Sequence, residues 1–179
     1  MAESPSCLRS VPAQTGKIEQ TEIKLAFITR KCFYGMTLLA ICDARRCITW
    51  CRVGVPGSAA DSRAFKESAW YRRQTGGGAP LLHKGHLLLG DSGFAFGVWL
   101  LKPFPRAQLT DKTKLQNKIL CSNRVVIEQA VGLLKGRWRI HHSGMSAETA
   151  FVPSIMEACF GLHKILIDGG DEWEAAVGA

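Results

Sequence analysis

Leu87-Leu88-Leu89-Gly90-Asp91-Ser92-Gly93 is the stretch on which the fold turns. Three consecutive large apolar residues leave no polar face, so the run reads as a strand buried on both sides that ends in a polar turn. Asp91 then stands at the carboxyl end of that strand. Upstream, Ile18, Ile23, Leu25 and Phe27, then Met36, Leu38, Leu39 and Ile41, form short apolar runs broken by Arg30-Lys31 and Asp43-Ala44-Arg45-Arg46. These predict three successive antiparallel strands near 17–27, 33–42 and 47–54. Val55-Pro56-Gly57-Ser58 is a turn, and Ser58 or Asp61 is placed to cap a helix running through Arg63, Phe65 and Trp70. Val98 to Phe104, closed by Pro103 and Pro105, predicts one more short strand or extended segment.

Downstream, Thr110 or Asp111 caps a long helix reaching about Arg139. Asn117, Arg124, Glu128, Lys135 and Arg139 recur at helical spacing on one face, while Ile119, Val126 and Leu133, beside Leu120, Ile127 and Leu134, form an apolar stripe. Glu128 therefore belongs to a basic, polar face. A last helix, about 147–167, carries Ile155, Cys159, Leu162 and Leu166 on one side and stops at Gly169-Gly170. The order of three strands, a helix, a buried strand and then helices is that of an α/β domain, an antiparallel meander with a parallel addition, and several folds share it.

The chain of 179 residues with 46% apolar content suffices for one packed domain. Residues 1–15, rich in Ser, Pro and Gln, read as a flexible leader, 16–170 as the domain and 171–179 as a tail. A net charge of +8 draws polyanions, so nucleic acid is the first partner to test, although many basic proteins owe nothing more than solubility to their charge. No signal-peptide core and no membrane-length apolar run occur, which predicts an intracellular, soluble protein with no membrane partner. Seven cysteines without a disulfide rhythm predict free thiols. Cys42, Cys47 and Cys51, with Cys32 upstream, lack any CxxC pair, and Cys47, Thr49 and Cys51 alternate as one strand face does; buried thiols are the better reading than zinc.

Two-metal cleavage of a phosphodiester needs carboxylates converging from different elements, because Mg²⁺ takes hard oxygen ligands. A strand-end Asp91 and a helix-face Glu128 meet that description. The residues taken alone allow the plainer alternative, in which Asp91 is a turn residue and Glu128 a solvated position paired with Arg124.

Longer motifs bear on that choice. Arg30-Lys31-Cys32-Phe33-Tyr34, Ala40-Ile41-Cys42-Asp43-Ala44 and Gly54-Val55-Pro56-Gly57-Ser58-Ala59-Ala60-Asp61-Ser62-Arg63 resemble the segments RKGFYS, QAVCDA and GWPGSVHDSR of the Harbinger-type DDE superfamily endonucleases, a transposase family. Leu89-Gly90-Asp91-Ser92-Gly93-Phe94 is similar to that family's LGDSGY. The run from Arg124 to Trp138 is similar to RVVVERAFGLLKGRF, and Ala158-Cys159-Phe160-Gly161-Leu162-His163-Lys164 to ACCVLHN. The matches follow the family's order along the chain.

The resemblance implies an RNase H-like fold in which three acids bind two divalent ions, Mg²⁺ or Mn²⁺, for attack on a phosphodiester of DNA. Asp91 matches the second acid and Glu128 the third. Glu19, in Ile18-Glu19-Gln20-Thr21-Glu22-Ile23, aligns with the first, which is Asp in the family's IDGTH. Its extra methylene displaces a ligand oxygen by roughly an ångström, which implies an impaired site. The alternative is a catalytically dead, transposase-derived module that binds nucleic acid or protein. Cys32 for Gly, Ala60 for His and Lys164 for Asn depart further from the family pattern. Relatives carry a helical DNA-binding region ahead of the nuclease; the leader is too short for one, so a separate DNA-binding helper protein and a nuclear location are the matching expectations. Arg30, Lys31, Arg124, Lys135, Arg137 and Arg139 flank the presumed site as candidate phosphate contacts, with a solvated face as the alternative for each. Trp138 reads as a stacking candidate or, more commonly for its type, as core. Asp43 and Asp61 read as strand-end and capping residues.

Overall fold

The computed structural model describes residues 35–141, 145 and 147–171, together with the backbone of 6–14. Among these residues five strands form one mixed sheet: β1 (Ser6–Gln14), β2 (Gly35–Cys42), β3 (Ile48–Pro56), β4 (Leu88–Leu89) and β5 (Leu100–Leu101). Their order across the sheet is β3-β2-β1-β4-β5. β1, β2 and β3 pair antiparallel in sequence, and β4 and β5 add parallel to β1 on its other side. Among the described residues four α-helices accompany the strands: α1 (Asp61–Lys66), α2 (Ala69–Thr75), α3 (Asp111–Arg137) and α4 (Val152–Asp168).

Strand β2, Gly35-Met36-Thr37-Leu38-Leu39-Ala40-Ile41-Cys42, is buried along its whole length, because it feeds two cores. Side chains alternate across a strand. Met36, Leu38, Ala40 and Cys42 pack with Ile127, Ala130, Val131 and Leu134 of α3 and with Val152, Met156 and Phe160 of α4. Leu39 and Ile41 point the other way, toward Ala64 and Phe65 of α1, Trp70 of α2, and Phe94. The sheet is therefore sandwiched, with the long helices on one face and the short ones on the other. Leu88 and Leu89 are divided in the same manner, one to each core. This double burial is why the Leu87-Leu88-Leu89 run shows no polar alternation.

The structure departs from the sequence expectation at several places. β1 lies within the segment read as a flexible leader. Its residues, Ser-Cys-Leu-Arg-Ser-Val-Pro-Ala-Gln, carry little strand propensity, but pairing with β2 along its length and with β4 at Ser6 and Cys7 supplies the backbone partners. Pro12, which cannot donate to a ladder, falls beyond the stretch paired with β4. The strand expected at 17–27 lies outside the described residues, as do Glu19, Arg30 and Lys31. The helix expected from Ser58 through Trp70 is two helices. Ala60 precedes α1 without a side-chain cap, and Asp61 forms its first turn, where negative charge suits the helix dipole. Ser68 restarts the chain as α2 by accepting the Tyr71 N–H at 3.0 Å.

α3 begins as expected, with Thr110 accepting from Thr113 N–H and Thr113 Oγ1 accepting from Thr110 N–H. Its apolar stripe is only half used. Ile127 and Leu134 are buried, whereas Ile119 is 53% exposed. α4 begins at Val152 rather than near 147, with Pro153 in its first turn, where the missing N–H costs nothing, and closes at Gly169.

Candidate functional site

Asp91 follows the buried pair Leu88-Leu89 directly after Gly90, at the carboxyl end of β4. The Gly93 N–H donates to Asp91 Oδ1 at 2.8 Å, a tight Asx turn that fixes one carboxylate oxygen. A Cβ built on Gly93 would sit 3.0 Å from Asp91 Oδ1 and 3.6 Å from Asp61 Oδ2. Two carboxylates, one from the end of β4 and one from the start of α1, therefore border the same glycine, and any side chain there would push Asp91 aside. Phe94, 1% exposed, anchors the turn in the aromatic core against Phe65 at 5.7 Å between ring centroids.

Glu128 lies on α3 one residue after Ile127, which is buried in the core that also holds Leu89. The two expected acids are thus carried by elements that pack on each other, β4 and α3. Glu128 is about half exposed and faces Arg124 at 3.8 Å. That ion pair is the plainer alternative for Glu128, and at this exposure it is worth at most about 1 kcal/mol. No described strand next to β4 supplies a third acid: β1 contains neither Asp nor Glu. Continuing the register Ser6↔Leu88 and Cys7↔Leu89 by two residues brings Arg9 level with Asp91. Among the described residues no three His, Cys, Asp or Glu side chains form a group able to hold a metal ion.

The candidate phosphate contacts divide. Arg139 is exposed, whereas the Arg137 side chain is only 9% exposed and pairs with Asp171 at 3.2 Å, which leaves it little surface for a phosphate. Arg124 faces Glu128, and Lys135 is half-buried. Trp138 packs against the core rather than standing free to stack. Lys164, in the place of the family's Asn, pairs with Asp168 at 2.6 Å and lies 4.0 Å from Cys47 Sγ. Cys42 and Cys47 are buried, and burial, with Glu157 adding negative charge, pushes the Cys51 thiol up to about 11.

His163 of the closing motif is fully buried. Burial lowers its pKa, the Arg137 guanidinium lowers it further, and the Arg46 backbone opposes both. The native state thus favours neutral imidazole, and as pH falls the unfolded chain takes up its proton first, near the ordinary value of about 6.5. Stability should be intact above that pH and should decline between pH 7 and 5, with a shallower decline in His163→Leu. Urea midpoints at both pH values check this; equal slopes for the two proteins would remove His163 as the cause.

Sequence reading missed a cleft of about 490 Å³ at the β3 edge, lined by Arg52, Gly54, Pro56, Ala60, Arg63 and Glu67. It also missed the approach of Asp61 to the Asp91 turn, and the exposure of Phe96. No periodicity signals contacts between a helix start and a turn thirty residues away in the chain; the glycine at 93 was the nearest thing to a cue.

A strand-end acid and a helix acid on a mixed five-stranded sheet place the chain among α/β domains with a candidate carboxylate site. Residues 11–164 match the DDE superfamily endonucleases, and the chain belongs to that family. It is 30% identical over 159 residues to the mouse (Mus musculus) protein named "Putative nuclease HARBI1", covering 86% of this chain and 44% of that protein. It is 31% identical over 149 residues to "Protein ALP1-like" of Arabidopsis thaliana, covering 78% of this chain and 37% of that protein. The frog (Xenopus laevis) protein of the same name as the mouse one is 24% identical over 172 residues. The chain spans less than half the length of these relatives. No solved structure matches it. Among the described residues no helix is long and apolar enough to cross a membrane.

Proposed function

We propose that this chain is the RNase H-like nuclease domain of a Harbinger-type transposase derivative, residues 16–170 with β1 ahead of them, acting on DNA in the nucleus with impaired cleavage. The observation that carries the reading is Asp91 at the carboxyl end of a short parallel strand, in a sheet of order β3-β2-β1-β4-β5 crossed by the helix that bears Glu128. Asp91 keeps Oδ2 outside its Asx turn, and Glu128 is solvent-accessible, so both offer hard oxygen atoms suited to Mg²⁺ or Mn²⁺. Glu19 is the proposed third ligand. When bound, the two ions would supply positive charge at the scissile phosphate; the protein's own part is to hold the carboxylates from converging elements and to present cationic side chains such as Arg139 to neighbouring phosphates. A separate DNA-binding helper protein is part of the proposal.

The reading as a DNA- or protein-binding module without cleavage is favoured by one specific observation, the absence of any acid in β1 beside β4.

Metal binding tests the first reading without requiring activity. Mg²⁺ or Mn²⁺ at about 100 times its Kd should stabilise the native state by about 2.7 kcal/mol, visible as a rise in melting temperature. Asp91→Ala should abolish the rise. A melting temperature indifferent to both ions in the unaltered protein would remove the metal site from the proposal.

A further inference from the structure

The connection from β4 to β5 carries two large apolar side chains into solvent beside the Asp91 turn. Phe96 is 68% exposed and Val98 is 91% exposed. The segment that bears them is held at both ends. Phe94 is buried on one side, and on the other Trp99 packs its ring against Trp70 at 5.5 Å, Tyr71 at 5.6 Å and Phe65 at 6.2 Å. Gly97 and Leu100 exchange backbone hydrogen bonds, each 3.1 Å, which closes a four-residue turn with Val98 near its tip. A Cβ on Gly97 would meet nothing within 4 Å, so the backbone there borders open space that a ligand can approach.

α1 ties this segment to the acids. Its first residue, Asp61, borders Gly93 next to Asp91, and its last, Lys66, lines a shallow depression with Ser62, Ala95 and Phe96. At about 1.5 Å of rise per residue, Asp61 and Lys66 at the two ends of that helix lie roughly 7.5 Å apart along its axis. An anchored aromatic with an exposed lysine beside it is the pairing by which single strands are held: the ring stacks on a base and the ammonium meets the backbone.

We infer that Phe96, supported by Val98 and Lys66, is a stacking platform for an unpaired nucleobase of the DNA strand near the phosphodiester placed at Asp91. The inference rests on the proposed reading of the chain as a DNA-acting domain. Base stacking is tolerant of sequence, so the platform selects for an unpaired base and not for a particular one.

The test uses the full chain and oligonucleotide duplexes with a short single-stranded overhang, in which 2-aminopurine replaces successive overhang bases. The unaltered protein should quench the fluorescence at one overhang position. Phe96→Ala should lose the quench and weaken binding about tenfold. Phe96→Tyr, which keeps a ring, should retain both, and melting temperatures should be alike because the side chain lies largely in solvent. Equal affinity and equal quench for the unaltered protein and Phe96→Ala would overturn the platform while leaving DNA binding in place. Absence of any DNA binding by the unaltered protein at low salt would overturn the platform together with the reading beneath it.

Discussion

Glu19→Asp should raise metal-dependent nicking of supercoiled plasmid on the order of a hundredfold over the unaltered protein, with Mn²⁺ the more permissive ion. Phosphoryl transfer relies on charges already in place at the metals, and a ligand oxygen displaced by roughly an ångström forfeits that much rate even where folding and DNA binding persist. The strand beside β4 makes the prediction sharper. β1 holds no carboxylate, and Glu19 is the first acid after it. Asp91→Ala in the Glu19→Asp background should return nicking to zero, which separates the proposed site from a contaminating nuclease. Equal rates for the unaltered protein and Glu19→Asp would show that the longer side chain does no damage. No cleavage by either would favour the binding-module reading.

Phe65→Ala should cost about 3–5 kcal/mol, a large share of the roughly 5–15 kcal/mol that holds a domain of ordinary size together. Phe65 is 2% exposed and its ring meets Trp50, Trp70, Tyr71, Phe94 and Trp99, with centroids between 5.4 and 6.2 Å. No single neighbour can collapse into the space left by a ring that five others surround, so a cavity term adds to the lost burial. Phe94 leans on it three residues after Asp91, and the loss should therefore loosen the turn that orients the acid. Urea titration measures the first effect, and a smaller metal-induced rise in melting temperature measures the second. A loss under about 1 kcal/mol would show that the aromatic cluster repacks.

Legibility followed local periodicity. β2, β3, the Leu88-Leu89 strand and the capped start of α3 were readable within a residue or two, since each is announced by a run or a cap of its own. α1 and α2 were read as one helix, because the break at Ser68 depends on a side chain competing for a backbone N–H and not on any loss of amphipathic pattern. The apolar stripe of α3 includes Ile119, which is exposed, because a stripe shows an apolar face but not how much of it another element covers.

By itself the sequence determined the α/β order, the burial of the Leu88-Leu89 strand, the place of Asp91 at a strand end and the family motifs, all of which are properties of short stretches. Only the tertiary structure decided that Ser6–Gln14 is the strand between β2 and β4, that Asp61 approaches the Asp91 turn, that Arg137 is taken up by Asp171, and that Phe96 stands in solvent beside the acids. The physical reason is the same in each case. A segment of weak intrinsic preference becomes a strand when two neighbours need its backbone, and a side chain's role is set by what distant parts of the chain bring against it.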